Sequence, residues 1–241
     1  MSVCLLAGAT LSSCLKDSDS DSSDNMLFAY LTVGQQDANN IYTLYPDGGG
    51  VIYPSAESVY NLTESYSGLK DVERCYFCMT YSDNDYSTDA NGEPVIRNAT
   101  LKSGVKIPVD SILSVPVADS LGISQKDSLF SASEFEAFWG YRGYLTAVMD
   151  LSYTANSSGT IDPTVSLVCD SIRTDSLFLT LCYNRHAAGS AIYGVSTFIR
   201  SYTLTQFRDQ IPGSDSIQVM VNLQGTSGKK CKISREDLSF R

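Results

Sequence analysis

Alternating apolar and polar residues dominate this chain and predict β-strands along most of its length. The clearest case is the stretch 135–153, in which every second residue from Leu145 onward is apolar. Side chains point alternately to the two faces of a strand, so this pattern is typical of a strand with one buried face. We interpret the stretch as the opening strand of a second β domain, with aromatic residues at the domain junction: Trp139, Tyr141 and Tyr144.

The first half of the chain predicts a small barrel, because several short strands follow one another closely. Two of them flank Pro46-Asp47-Gly48-Gly49-Gly50. Glycine adopts positive φ without strain, so we expect a hairpin at this turn. The predicted strands of this half are 27–33, 41–45, 51–53, 74–81, 94–101 and 105–109.

The second half predicts a sandwich of six or seven antiparallel strands separated by polar turns. Between the two halves, a mixed polar segment with few strand signals suggests a linker. We therefore assign 26–113 to a barrel domain, 114–133 to the linker and 134–241 to the sandwich domain. The sandwich strands are predicted at 145–153, 165–169, 177–183, 193–204, 217–223 and 230–233.

Composition supports an all-β fold with two domains. The chain has 241 residues, of which 43% are hydrophobic, so two domains of about 100 residues each can both bury a core. Its formal net charge of −10 leaves no basic stripe to neutralise phosphates. We therefore expect neither a nucleic-acid partner nor docking of the protein surface on an anionic membrane.

The N-terminus predicts a lipoprotein leader. Residues 3–11 are apolar and uncharged, about the length of a signal-peptide core, and end in Leu11-Ser12-Ser13-Cys14, which resembles a bacterial lipobox. No Lys or Arg precedes the apolar run, and a buried strand is the alternative interpretation. We assign 1–13 to the signal peptide and 14–25 to an acidic tether whose Cys14 carries the lipid. This predicts an outer-membrane lipoprotein held by its lipid anchor, with exposure at the cell surface as one arrangement.

The cysteines do not form a persuasive metal or disulfide pattern. Cys75 and Cys78 have the spacing of a redox or zinc half-site, but residues three apart in a strand face opposite sides. Core packing is therefore the favoured role for this pair. Cys169 and Cys182 flank one hairpin, and aligning the apolar positions of its strands puts Cys182 on the other face, which argues against a disulfide.

No arrangement of residues predicts catalysis, a metal or another cofactor. His186 is the only histidine, and no Gly-x-Ser-x-Gly elbow accompanies it. The acidic loop 83–93 lacks two of the main ligands of a calcium loop, so a solvated hairpin tip is favoured over a weak calcium site. Trp139, Tyr141 and Tyr144 could form a ligand-stacking platform, although packing at the domain junction is the favoured role of such a cluster.

Five short motifs extend over nearly the whole chain. They are Leu11-Ser12-Ser13-Cys14, Asp47-Gly48, the segment 71–81, Trp139…Gly143-Tyr144-Leu145 and Val195-Ser196-Thr197-Phe198. Together they resemble the NigD-like lipoproteins, although Cys75 and Cys78 stand where aliphatic residues look usual. The resemblance implies an N-terminal barrel of the oligonucleotide/oligosaccharide-binding (OB) type, followed by a C-terminal β-sandwich. It implies no enzymatic activity and no particular ligand.

The sequence thus predicts a non-catalytic, lipid-anchored outer-membrane or cell-surface protein that binds a ligand or an envelope protein. One alternative is a surface glycan-binding module that uses Trp139, Tyr141 and Tyr144. The other two are an accessory or immunity protein of a bacteriocin operon, which rests on the family name alone, and a glycoside hydrolase with unrecognised carboxylates.

Overall fold

The computed structural model describes residues 24–37, 41–60, 69–123, 135–156, 159–161, 163–184, 192–211, 215–223 and 226–239. Strands make up most of these residues, and the helical segments are short. The chain divides into two compact units, residues 1–107 and 108–241. The predicted all-β class, with a barrel followed by a sandwich, is confirmed.

The first unit is a barrel closed by five strands. β1 pairs with β2 and β4, β2 with β3, and β4 with β6, while a parallel pairing of β3 with β6 closes the ring. Residues 56–60 are helical and follow β3, which completes the topology expected of an OB-type barrel. The strands of this unit are β1 (Asn25–Gln36), β2 (Tyr42–Pro46), β3 (Val51–Pro54), β4 (Arg74–Tyr81), the short outer strand β5 (Tyr86–Thr88) and β6 (Pro94–Lys106).

Alternation along β4 separates the two cysteines of the C-x-x-C motif as predicted. Cys75 lies in the barrel core with Leu31 and Met79, whereas Cys78 pairs with Phe28 on the outer face. No cysteine that the structure describes belongs to a disulfide, so Cys75 and Cys78 are not bonded to each other in this fold.

The second unit is a sandwich of two five-stranded sheets. One sheet has the order β11-β10-β14-β7, with β9 also paired to β10, and the other has the order β16-β15-β13-β12-β8. Most pairings are antiparallel, but β7 with β14, β8 with β12 and β13 with β15 are parallel. The strands are β7 (Val109–Ser111), β8 (Leu113–Ser114), β9 (Phe135–Tyr141), β10 (Tyr144–Asn156), β11 (Gly159–Ile161), β12 (Thr164–Arg173), β13 (Ser176–Asn184), β14 (Ile192–Thr203), β15 (Ser216–Leu223) and β16 (Thr226–Ser234).

The domain boundary lies earlier than the sequence indicated. The second unit begins at residue 108, and residues 109–111, which were assigned to the barrel, pair with β14 of the sandwich. Part of the segment assigned to a linker is also structured, because β8 pairs with β12 and is followed by the helix α1 (Val115–Ser120). These elements are too short for periodicity to reveal them. A further short helix, α2 (Arg235–Ser239), follows β16.

Cys182 lies on the outer face of the sandwich and is nevertheless buried, because α1 packs over it. Ala118 of α1 forms a small apolar cluster with Val168 and Cys182. The register of β12 and β13 pairs Cys169 with Leu179 and Ser166 with Cys182, so the two cysteines face opposite sides of the sheet. This is the pairing that the apolar pattern predicted.

A tight hairpin interrupts the stretch that was interpreted as one opening strand. β9 and β10 pair from Tyr141 and Tyr144 onward, and Arg142 and Gly143 between them have φ values of 46° and 79°. Two successive positive φ values define the type I′ turn that matches the twist of a two-residue hairpin. The backbone N–H of Arg142 donates a hydrogen bond of 3.1 Å to Asp237, which supports this uncommon conformation.

Burial makes two thiols poor nucleophiles. It raises the pKa of Cys75 and of Cys231 to about 12 each, from a usual value of 9.0. We expect a thiol reagent such as iodoacetamide to leave both residues unmodified in the native protein near pH 8 and to modify them after denaturation, because the thiolate is the reactive form. Mass spectrometry of labelled peptides measures this. Modification of native Cys75 as fast as in the denatured chain would contradict the prediction.

The same shifts predict how stability depends on pH. Between about pH 9 and pH 12 the unfolded thiols lose their protons while folded Cys75 and Cys231 keep theirs. The unfolded state then binds fewer protons, so the contribution of these thiols is complete below pH 9 and is lost as the pH rises.

Candidate functional site

A group of exposed apolar side chains lies on the outside of the barrel. The outer faces of β1, β4 and β6 adjoin there, because Tyr30 pairs with Tyr76 and Tyr76 with Val105 in register. We call this surface the barrel aromatic face. It consists of Met26, Phe28, Tyr30, Tyr76, Cys78 and Val105.

Three side chains of this face are more than half exposed. Met26 is 60% exposed, Phe28 54% and Val105 55%, whereas Ala29 and Leu31, the inward neighbours on β1, are buried. Apolar side chains that remain in water contribute no hydrophobic stabilisation to the fold. A contiguous group of them therefore often marks a binding surface.

The rings on this face are arranged as a shallow platform. Phe28 and Tyr76 have ring centroids 6.5 Å apart and planes inclined by 25°, and Tyr30 lies 4.7 Å from Tyr76 at 47°. Tyr30 and Tyr76 also bring hydroxyl groups to the face, and Ser103 pairs with Cys78 at its border. Exposed aromatic rings with hydroxyls nearby can stack on a ring of similar size and orient it by a few hydrogen bonds.

Sequence reasoning recognised the strand but missed the face. In the segment 27–33 the inward positions are Leu27, Ala29 and Leu31, and the outward positions include Phe28 and Tyr30. Aromatic residues at positions that alternate with a buried set are the available signal, since a solvent-facing strand position is usually polar. This signal is weak in the sequence, because apolar residues on both faces of the strand form one hydrophobic run.

Tyr45 and Tyr53 lie at outward positions on the second and third strands, the face where OB barrels commonly bind their ligands. Its Tyr53 has the Arg97 guanidinium carbon 5.1 Å from the ring centroid. Tyr45 packs closely against Gly34, where a Cβ would come 2.8 Å from the tyrosine ring. Both rings are therefore engaged within the barrel, and the barrel aromatic face is the stronger candidate.

The three aromatic residues proposed from the sequence share one face of the β9–β10 hairpin. Trp139 and Tyr141 alternate on β9, and Tyr144 is the register partner of Tyr141. All three are half-buried. The Nε of Arg142 donates to the Tyr141 hydroxyl at 3.2 Å, and its guanidinium lies 5.5 Å from the ring centroid. The structure brings the three residues together, and their ligand-stacking role stays a prediction.

A buried ion pair joins two of the motifs noted in the sequence. Arg74 is fully buried and donates through Nη1 and Nη2 to the two carboxylate oxygens of Asp47 at 2.6 and 2.5 Å. Nη1 also donates to the Thr32 hydroxyl at 2.9 Å. Because the pair connects β4 with the turn after β2 and is closed to solvent, its role is to hold the barrel together.

The acidic hairpin tip uses its own carboxylates as local hydrogen-bond acceptors. Asp89 Oδ1 accepts from the backbone N–H groups of Asn91 and Glu93 at 2.8 and 2.9 Å. Hydrogen bonds from Ser82 and Asn98 hold the pKa of Asp85 below its usual value. In the described ranges no three His, Cys, Asp or Glu side chains are grouped as a metal site would require.

Two sites from the sequence lie outside the described residues: Cys14, assigned as the lipidation site, and His186. In the portion of the chain that is described, no helix is long and apolar enough to cross a membrane.

Two solved structures match this chain over most of its length. A protein of unknown function DUF1344 from Bacteroides vulgatus is 17% identical, with a TM-score of 0.54, and the match covers 87% of this chain and 90% of that one. A putative toxin-related protein from Parabacteroides distasonis is 15% identical, also with a TM-score of 0.54, over 89% and 96% of the two chains. This chain shares their fold. At these identities the likeness concerns the fold and carries no function with it.

The family name that the sequence suggested also occurs among the similar structures. A NigD-like immunity protein from Bacteroides caccae is 16% identical, with a TM-score of 0.47, over 92% of this chain and 98% of that one. No protein-family model and no curated protein matches the chain.

Proposed function

We propose that this protein is a non-catalytic, lipid-anchored protein of the bacterial outer membrane that binds a neutral oligosaccharide on the barrel aromatic face. The observation that carries the proposal is the exposure of Phe28 and Met26 beside the Tyr30–Tyr76 pair.

A sugar chain suits this face better than other ligands do. The apolar C–H face of a pyranose ring can lie on Phe28 and Tyr76, whose planes are nearly parallel. Burying that apolar area supplies affinity, and the tyrosine hydroxyls and Ser103 can accept or donate hydrogen bonds to sugar hydroxyls. OB barrels are used for oligosaccharides as well as oligonucleotides.

Charge argues against the other common ligand of such barrels. Single-stranded nucleic acid is bound by stacking together with a positively charged groove, and the net charge of this chain is −10. A stable protein complex usually buries about 800 Å² on each partner, which is more than six side chains provide. A short neutral glycan requires neither feature.

Replacing Phe28 and Tyr76 together with alanine is expected to weaken glycan binding by at least about tenfold, because both stacking rings are removed. Full-length protein with Cys14→Ala, which keeps it unlipidated, is tested on a glycan array, and hits are measured by isothermal titration calorimetry. Both residues are on the outer face, so the melting temperature should change little.

Two control variants make the result specific to the barrel aromatic face. Val195→Ala removes an apolar side chain that is 67% exposed in the sandwich unit, and it should leave binding unchanged. The combined alanine variant of Trp139, Tyr141 and Tyr144 tests the site suggested by the sequence. Loss of binding in this variant alone, with Phe28→Ala/Tyr76→Ala at full affinity, would transfer the site to the sandwich and refute the proposal.

Anchoring makes a separate prediction. Cys14→Ala should release the protein from the membrane fraction, because the variant lacks the residue that would carry the two or three anchoring acyl chains. Fractionation and blotting measure the distribution, and Cys4→Ala in the signal segment is the matched control that should stay membrane-bound. Digestion of the wild-type protein by proteinase K on intact cells would locate it on the surface, where glycans are accessible. A Cys14→Ala protein that remains in the membrane would contradict the lipid anchor.

A further inference from the structure

One side of the sandwich contains two charged residues at positions that face the core. On β14, Tyr202 and Arg200 occupy inward positions. Their register partners on β10 are Leu145 and Ala147, which both belong to the sandwich core. On β7, Asp110 is the register partner of Tyr202. Inward strand positions in a sandwich are normally apolar, so charged residues there depart from the usual alternation of apolar and polar side chains. Such departures are expected at functional sites.

These two charges line an open-sided cavity of about 360 Å³ at the surface of the sandwich unit. The cavity lies where the chain passes from β7 in one sheet to β8 in the other, so the edges of both sheets border it. Its volume is at the lower end of the range for small-molecule sites. The lining residues beside the two charges are Ser111, Leu113, Pro163, Thr164, Val165 and Ser166.

The charged groups are near each other without being locked together. Arg200 Nη1 lies 3.6 Å from Asp110 Oδ2, which is longer than a hydrogen bond, and their side chains are 25% and 47% exposed. Each head group therefore retains hydrogen-bonding capacity toward a third molecule.

A buried hydroxyl adjoins the same charges. Tyr202 is fully buried, and its hydroxyl oxygen has no hydrogen-bond partner within the described parts of the chain. Burial raises the pKa of this phenol, first of all by desolvation, and the nearby Asp110 raises it further while Arg200 lowers it. A buried hydroxyl without a partner is costly, so it is uncommon in a region with a purely structural role.

We propose that this cavity binds a small zwitterion, namely a free α-amino acid with an apolar side chain. The ligand carboxylate pairs with the Arg200 guanidinium and its ammonium group with the Asp110 carboxylate, because a planar guanidinium matches a carboxylate and a carboxylate accepts from an ammonium group. Leu113 and Val165 supply apolar contacts for the side chain. This site is separate from the barrel aromatic face and does not depend on the proposed glycan function.

The alternative explanation is that inward charges near a short edge strand only discourage pairing with another molecule. That explanation predicts more aggregation in charge-neutralised variants and no ligand. The zwitterion site predicts instead that both charges of the ligand are needed together.

The test uses full-length protein with Cys14→Ala, titrated with L-valine in a calorimeter and in a thermal-shift assay. Isovalerate lacks the ammonium group of valine and isobutylamine lacks its carboxylate, so they are matched probes. We expect saturable binding of L-valine and at least about tenfold weaker binding of each analogue, since one charge-assisted contact is lost. Equal binding of valine and isovalerate, or no saturable binding of valine, would overturn the proposal.

Variants locate the site. Arg200→Gln and Asp110→Asn should each weaken valine binding by about tenfold or more, and Arg200→Lys should retain part of the affinity because it keeps the charge. Arg173→Gln is the matched control, because this arginine stacks on Phe178 elsewhere in the same unit and does not line the cavity. Unchanged affinity in both Arg200→Gln and Asp110→Asn would show that valine binds somewhere else.

Discussion

Replacing Arg74 with alanine is expected to destabilise the barrel by about 3–5 kcal/mol, the largest effect that we predict for a single polar residue. The arginine is fully buried, and the Asp47 side chain is only 10% exposed. Removing the guanidinium leaves the carboxylate with neither its partner nor full hydration. It also removes the donor to the Thr32 hydroxyl.

Geometry distinguishes this pair from an ordinary salt bridge. Two parallel hydrogen bonds connect the guanidinium and the carboxylate, and lysine cannot reproduce them because its ammonium group is a single point of charge. Arg74→Lys should therefore recover only part of the lost stability. Arg74→Met combined with Asp47→Leu should be much less destabilising than Arg74→Ala, because it leaves no buried charge behind.

Hydrogen exchange with mass spectrometry measures this effect locally. Peptides from β1, β2 and β4 should lose protection in Arg74→Ala, and urea denaturation gives the change in the free energy of unfolding. Arg200→Gln is the internal control, because the Arg200–Asp110 pair is partly exposed and is expected to contribute about 0–1 kcal/mol. A similar small loss for Arg74→Ala would show that the buried pair does not stabilise the barrel.

The Arg74–Asp47 pair shows which parts of the structure could be predicted from the sequence. Asp47 was visible as a turn residue and Arg74 as the first residue of a strand, and both positions were predicted correctly. Their contact was invisible, because it depends on how β2 and β4 flank β1 in space. Periodicity reports which face of a strand is buried, and it contains no information about which strands become neighbours.

Register could be predicted where both strands had one clear apolar face. The β12–β13 pairing follows from the matching of Leu167 with Leu181 and of Cys169 with Leu179, so the separation of Cys169 from Cys182 was predictable. The parallel pairings of β7 with β14 and of β8 with β12 were not predictable, since β7 and β8 have only three and two residues. The cavity could not be predicted for the same reason. Asp110 is recognised as an inward charge only when β7 is placed beside β14, and a strand of three residues gives no pattern that predicts this pairing.

The candidate binding face illustrates a different limit. Phe28 and Tyr30 lie in the run 26–31, which is hydrophobic at every position, so the sequence does not show which of these residues face the core. Only the pairing with β4, which brings Tyr76 beside Tyr30, shows that these aromatic residues gather on the outside. Trp139 is the more conspicuous residue in the sequence, although a residue's rarity does not measure its exposure.

Replacing Gly140 with alanine is expected to destabilise the sandwich by about 1–3 kcal/mol, even though a glycine inside a strand normally costs stability. Gly140 is the register partner of Leu145, so the side chain that it lacks would face the core. A Cβ built there would overlap Cγ1 and Cδ1 of Ile233 on β16, in the opposite sheet. The residue has no positive φ, so the requirement for glycine is one of space and not of backbone conformation.

A double-mutant cycle tests this explanation. Ile233 is 1% exposed, and Ile233→Ala alone should cost about 2–5 kcal/mol because it leaves a cavity. The double variant Gly140→Ala/Ile233→Ala should cost less than the sum of the single changes by about 0.5–3 kcal/mol, since the new methyl group occupies space that the isoleucine vacated. Fluorescence of Trp139, the only tryptophan and the neighbour of Gly140, follows the unfolding of this unit directly. Additive effects within error would mean that β9 and β16 are not packed against each other through these two residues.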